Sequence, residues 1–208
     1  MDIHELTGKA HHFMRIGHYE DAIATYNKLL ESDSNNTTAL ENIGKMYYSL
    51  GRHEDAIVWY DKAIAINPKL PSVWYEKGYT LRKIHRYEDA ITCFDQALAL
   101  DPDFVFALLN KGYVLNELGK FREAIACFDT ILKTSPNNLR VMTAKGISLR
   151  ELGNNTEALA YFDKVIALNP LNSFVRNNRA VTLRNLGRIQ EAEESVHRGN
   201  GTYGNRRI

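Results

Sequence analysis

Apolar residues in this chain fall at helical spacing in short blocks that stop and restart. Between residues 105 and 138, Leu108, Val114, Leu115 and Leu118 share one helical face, and the pattern halts at Gly119, a residue suited to a helix C-terminus. A second amphipathic stretch runs from Arg122 to about Thr134 and ends ahead of Pro136, which disfavours helix at Ser135. Two helices joined by a tight turn are therefore predicted. The pattern then repeats: steps of thirty-four from Ala22 reach Ala56, Ala90, Ala124, Ala158 and Ala192 without insertion or deletion. Gly17, Gly51, Gly119, Gly153 and Gly187 keep the same step, broken only by His85. Aromatic residues follow at Tyr26, Tyr60, Phe94, Phe128 and Phe162, with Val196 last, and prolines at Pro68, Pro102, Pro136 and Pro170. Six units result, beginning at Ile3, Thr37, Pro71, Val105, Leu139 and Ser173. The second helix usually opens with acids, such as Glu54-Asp55 and Glu88-Asp89, which complement the positive end of its dipole.

Numbered within the unit, position 8 is small (Ala10, Gly44, Gly78, Gly112, Gly146, Ala180), 15 is glycine and 17 is Tyr or Phe (Tyr19, Tyr87, Phe121). Position 20 is alanine, 24 aromatic and 32 proline. The small residue and the alanine twelve positions later would let the two helices cross closely. With these residues the unit resembles the tetratricopeptide repeat over residues 3 to about 199, and its Lys-Gly pairs (Lys77-Gly78, Lys111-Gly112, Lys145-Gly146) resemble archaeal and bacterial members. The resemblance implies an all-α, right-handed superhelical solenoid of six helix-turn-helix repeats, first helices lining a concave groove and second helices forming the convex side. A lone repeat cannot bury its apolar face, so residues 1–199 are expected to form one domain. Departures sit at the ends: Ser34 replaces proline, Arg176 stands where Trp74 stands in the third copy, and Glu193 replaces Ile or Leu, as a polar terminal cap would require. Residues 200–208, rich in glycine, are expected to form a flexible tail.

Copies compared with one another show a correlation. Position 25 reads Asn27, Asp61, Asp95, Asp129, Asp163, and the residue sixteen later reads Ile43, Lys77, Lys111, Lys145, Arg179. Each aspartate is followed by a cation, which predicts ion pairs between each second helix and the next first helix. Duplication of the unit would carry both positions along together and produce the same correlation without contact. Exposed pairs contribute only about 0 to 1 kcal/mol each, so such a ladder sets register more than stability.

Composition narrows the function. The chain is 44% hydrophobic and 25% charged, with net charge +1, so bulk attraction to nucleic acid or anionic lipid is not built in. The longest apolar run, Phe104 to Leu109, falls short of the roughly 20 residues that cross a membrane, and the amino terminus lacks the pattern of a secretory signal. A cytoplasmic protein is expected. No phosphate-binding loop, dinucleotide motif, His-Glu-x-x-His or nucleophile elbow occurs, so neither an enzyme nor a cofactor is expected. Cys93 and Cys127 occupy equivalent positions on successive second helices, about 8 to 10 Å apart if packed, which favours free thiols over a disulfide. His4, His11, His12 and His18 crowd the first eighteen residues without an i, i+4 pair, so no metal site is expected. The Asn-x-Thr sequons at Asn35, Asn36, Asn154 and Asn200 fall at predicted turns and beyond, where asparagine is common.

In the implied fold, positions 2, 5, 6, 9, 12 and 13 of each first helix face the groove. The candidate binding residues are Asn42 and Lys45 in the second copy and Tyr75, Tyr79 and Arg82 in the third. Phe106, Leu109, Asn110 and Tyr113 follow in the fourth, Ile147 and Arg150 in the fifth, and Asn178 and Arg184 in the sixth. Relatives that hold a C-terminal carboxylate use a Lys-Asn-Asn-Lys-Arg set over three repeats, which no three consecutive copies supply. Others grip a peptide main chain with asparagines at position 6; here Asn42, Asn110 and Asn178 alternate with Glu76 and Ala144. The expected function is a non-enzymatic protein-protein interaction scaffold that binds an extended or helical segment of another protein. The alternatives are single-stranded RNA binding through Arg82, Arg140, Arg150 and Arg184 with Tyr75, Tyr79 and Tyr113 as stacking platforms, or self-association through terminal helices. Acids interleaved in the groove (Glu41, Glu76, Glu117, Glu151) argue against nucleic acid, and no membrane partner is expected.

Overall fold

In a computed structural model, which describes residues 3–197, every first helix begins on the residue at which the repeat places its unit. In chain order the helices are α1 (Ile3–Arg15), α2 (Tyr19–Ser32), α3 (Thr37–Ser49), α4 (His53–Ile66), α5 (Pro71–Lys83), α6 (Tyr87–Leu100), α7 (Val105–Glu117), α8 (Phe121–Thr134), α9 (Leu139–Glu151), α10 (Asn155–Leu168), α11 (Ser173–Asn185) and α12 (Ile189–His197). No strand occurs among the described residues. The tail expected at 200–208 and the Asn200 sequon lie outside them. Contacts group the chain into two units, one ending at Asn110 and one beginning at Lys111, the division falling inside α7. Within the first unit the helices α1 to α6 pack against one another in chain order; within the second, α8 to α12 do the same.

The turn inside each copy is set by one backbone conformation. Gly17, Gly51, Gly119, Gly153 and Gly187 have φ between 71 and 81°, the left-handed region that side chains disfavour, and His85 adopts φ 61° in the third copy. The following amide then donates back into the first helix, as Arg52 does to the Tyr47 carbonyl (2.9 Å) and Arg86 to that of Leu81 (2.9 Å). The first helices gain a different start: Asn36, Asn138 and Asn172 cap α3, α9 and α11 by accepting from Ala39, Val141 and Val175. Asn36 of the sequons is thus a capping residue.

The core runs through the positions that recur most strictly. Ala22, Ala56, Ala90, Ala124, Ala158 and Ala192 are fully buried, as are Tyr60, Phe94, Phe128 and Phe162. The close helix crossing expected of the small residue and the alanine also involves a ring. The glycine at position 8 lies under the aromatic ring of position 24: a Cβ on Gly44, Gly78 or Gly146 would come within 2.5, 2.9 or 2.7 Å of the ring of Tyr60, Phe94 or Phe162, and one on Gly112 would meet Phe128. At Gly78 the alanine is close as well, its Ala90 carbonyl lying 3.1 Å from the same point.

The expected ion pairs close between copies at three joints. Lys77 reaches Asp61, Lys145 reaches Asp129 and Arg179 reaches Asp163, each at 2.5 Å. Lys145 also donates to the Tyr161 hydroxyl at 2.8 Å. At the first joint Ile43 is buried instead. Arg176, a departure from the repeat, keeps the bond of the residue it replaces: it donates to the Pro170 carbonyl as the Trp74 indole donates to that of Pro68. Cys93 and Cys127 are buried and form no disulfide with each other, and burial pushes the Cys93 thiol up to about 11. Among the described residues no helix is long and apolar enough to cross a membrane, and no three metal-ligating side chains come together.

Candidate functional site

On the first unit, the predicted Tyr75 and Tyr79 belong to a row of rings with Tyr48, Phe104 and Phe106. Because positions 9 and 12 lie on one face of their helices, Tyr48 of α3 comes to 5.6 Å from Tyr79 of α5, ring centre to ring centre. Tyr79 is 5.9 Å from Tyr75, which in turn meets Phe104 at 5.2 Å and Phe106 at 6.2 Å. Phe106 is 62% exposed, whereas Leu109 and Asn110 are buried and form floor rather than rim. Burial pushes the hydroxyls of Tyr48 and Tyr75 up to about 12, so these remain neutral donors. The Arg82 guanidinium lies 5.2 Å over the Tyr79 ring.

Beside this row Lys45 is shared by two carboxylates, Glu41 at 2.6 Å and Glu76 at 3.7 Å, and Ser72 donates to Glu41 at 3.5 Å. Burial raises the pKa of Glu76, and the charge of Lys45 opposes this incompletely. Lys45, predicted as a ligand contact, is therefore already paired.

On the second unit, Tyr113 and Ile147 line a cavity of about 480 Å³ together with Leu139, Arg140, Thr143, Ala144, Asn169, Asn172 and Phe174. Its walls are mainly apolar, Phe174 is 59% exposed, and Arg140 supplies the one cation of the lining. Asn169 and Asn172 come from the turn ahead of α11 and lie outside the helical positions that the repeat points to; nothing in a helical periodicity marks them. Arg150, by contrast, is held by its own chain, with Glu151 at 2.7 Å and Asn178 at 2.7 Å. Arg184 is exposed.

The asparagines at position 6 keep less freedom than a two-way grip on a peptide needs. Asn42 donates to the Tyr26 hydroxyl at 3.0 Å, Asn110 to the Phe106 carbonyl at 2.8 Å, and Asn178 to the Phe174 carbonyl at 2.8 Å. Asn178 also accepts from Arg150, so both ends of its amide are engaged.

Solved structures share this fold. A crystal structure of MamA protein superposes with a TM-score of 0.74 at 25% identity, over 79% of this chain and 90% of that one. A tetratricopeptide repeat protein from Parabacteroides merdae gives 0.82 at 20%, over 94% and 78%. YrrB, described as a TPR protein with an unusual peptide-binding site, gives 0.75 at 21%, over 84% and 90%. No curated protein sequence matches the chain. Family models of the tetratricopeptide repeat match residues 10–51, 44–84, 71–104, 93–126, 139–170 and 161–194; the spans 71–104 and 139–170 coincide with the helix pairs α5–α6 and α9–α10. Recurrence, helix boundaries and family models agree on one assignment, and the chain belongs to the tetratricopeptide repeat family.

Proposed function

We propose that this protein is a non-enzymatic interaction module that holds an extended segment of another protein on the face of its first helices, through apolar groups and carboxylates. The observation that carries this reading is the apolar cavity of the second unit, about 480 Å³, walled by Tyr113, Ile147 and Phe174 with Arg140 at its edge. A concave apolar site with few polar groups is the usual form of a ligand pocket. The ring row from Tyr48 to Phe106 offers the first unit a similar apolar surface. The peptide-binding site ascribed to YrrB, a structural neighbour, is in keeping with it. Phosphate tracking fits less well, since Glu151 already neutralises Arg150, and Glu41 and Glu76 would repel a nucleic acid backbone. Two buried cysteines that are not disulfide-bonded suit a reducing compartment, as in the cytoplasm.

The test is selection from a displayed random peptide library. Selected peptides should alternate apolar and acidic residues, and Tyr79→Ala or Ile147→Arg should weaken them by about 1 kcal/mol or more. Salt dependence should be shallow. Tight binding of single-stranded RNA that falls steeply with salt and is lost in Arg140→Ala/Arg184→Ala would replace the peptide reading.

A further inference from the structure

Arg82 and Arg150 occupy the same position of the repeat, position 12 of the third and fifth copies, yet their surroundings differ. Arg150 is satisfied internally: its Nη2 and Nε donate to Glu151 Oε1 at 2.7 and 3.2 Å, and its Nη1 donates to Asn178 Oδ1 at 2.7 Å. In the third copy the residue after the arginine is Lys83, so a second cation stands where Glu151 would be. Asn110 is the counterpart of Asn178, but it gives its amide to the Phe106 carbonyl at 2.8 Å and the Tyr75 hydroxyl at 3.5 Å, and takes no bond from Arg82. The Arg82 Nε is buried with no acceptor. Nearby carboxylates do not compensate, because Glu41 and Glu76 are turned to Lys45.

A buried donor on a charged group is costly to leave without a partner, and a guanidinium presents a planar fork that matches a carboxylate. Water competes poorly where the group lies against rings, and Arg82 lies over Tyr79, with Tyr48 next in the row. We infer that Arg82 is the receptor for a carboxylate of the bound segment, which takes the place that Glu151 occupies on Arg150. The inference rests on the peptide-binding reading above and gives it one polar anchor. Such a carboxylate comes either from an Asp or Glu side chain or from a chain terminus.

The test uses three synthetic peptides: acetyl-Leu-Glu-Leu-Glu-Leu-amide, its glutamine counterpart, and the glutamine peptide with a free C-terminal carboxylate. Each is titrated into the full chain carrying ¹⁵N-labelled arginine, with the side-chain Nε–H signals followed by NMR so that weak binding registers. The Arg82 signal, identified by its loss in Arg82→Gln, should move with a carboxylate peptide and stay with the amidated glutamine peptide, while that of Arg150 stays throughout. Movement with the internal glutamates or with the free terminus tells the two sources apart, and either supports the inference. The wild type should prefer the carboxylate peptide roughly tenfold. Lys83→Glu, which supplies copy five's acid in cis, should abolish that preference, as should Arg82→Gln, with the amidated glutamine peptide bound equally by all three proteins. A preference that survives both substitutions, or an Arg82 signal indifferent to all carboxylates while the peptides bind, overturns the carboxylate receptor and leaves the peptide face standing. Absence of binding by every peptide overturns both.

Discussion

The ring of Phe162 lies 2.7 Å from the point that a Cβ on Gly146 would occupy. No side chain fits there unless the ring moves, and the ring is fully buried. Gly146→Ala should therefore destabilise the protein by about 1 to 3 kcal/mol, as overpacking does. Thermal unfolding should register this as a fall of roughly 2 to 4 °C per kcal/mol, and Phe162→Leu in the same chain should recover part of it. A double variant that melts below both single ones would show that the ring does not set the glycine.

His85 is the one described residue other than glycine with positive φ. A side chain in that conformation costs roughly 1 to 2 kcal/mol. Its ring contacts Tyr87, with Nδ1 2.8 Å from the hydroxyl, but the bond is exposed and correspondingly weak. His85→Gly should raise the melting temperature by a few degrees, roughly 2 to 4. A lower melting temperature would mean that the Tyr87 contact outweighs the backbone.

The ion pairs between copies predict a pattern of coupling. In a double-mutant cycle Asp163→Asn and Arg179→Met should be non-additive, because the two side chains meet at 2.5 Å. Asp163→Asn and Lys145→Met, which lies in the same copy and is bonded to Asp129, should add. The coupling should be small, about 0.2 to 1 kcal/mol, since Asp163 is half exposed. Coupling confined to the within-copy pair would contradict the geometry.

Glu76 sets a pH dependence. Burial raises its folded-state pKa above the ordinary 4.5, against the pull of Lys45. The folded protein then holds the proton more tightly than the unfolded chain, so stability falls as pH rises from 4.5 through the folded value. Glu76→Gln should therefore stabilise the protein at neutral pH, with Glu41 still on Lys45, and the advantage should vanish below about pH 4. Chemical denaturation across that range measures it; a variant less stable at neutral pH would show that the second carboxylate on Lys45 is worth more than its burial costs.

Helix boundaries were legible because their signals are local: Gly119 ends one helix, Pro136 forbids another, and Asn138 caps the next. The joints at Asp61, Asp129 and Asp163 were legible because copies could be compared. Side-chain orientation was not. Asn110 and Asn178 sit at the position expected to grip a peptide, yet each donates to the carbonyl four residues back, a choice that sequence spacing does not reveal. Leu109 repeats on the predicted face but is buried, since a helical face has a floor as well as a rim. Arg82 and Arg150 looked alike as cations until their neighbours Lys83 and Glu151 were seen to decide which one is satisfied.

Three joints that carry the same aspartate and cation sixteen residues apart are interchangeable parts. A deletion or duplication of thirty-four residues that begins and ends behind any of them leaves an acid facing a base at the new seam, so the array can change length by whole copies without redesign. The seam of Asn27 and Ile43 lacks that compatibility, because another copy's aspartate would be set against a buried aliphatic side chain. A copy that carries the aspartate therefore fits behind the second copy and not directly in front of it.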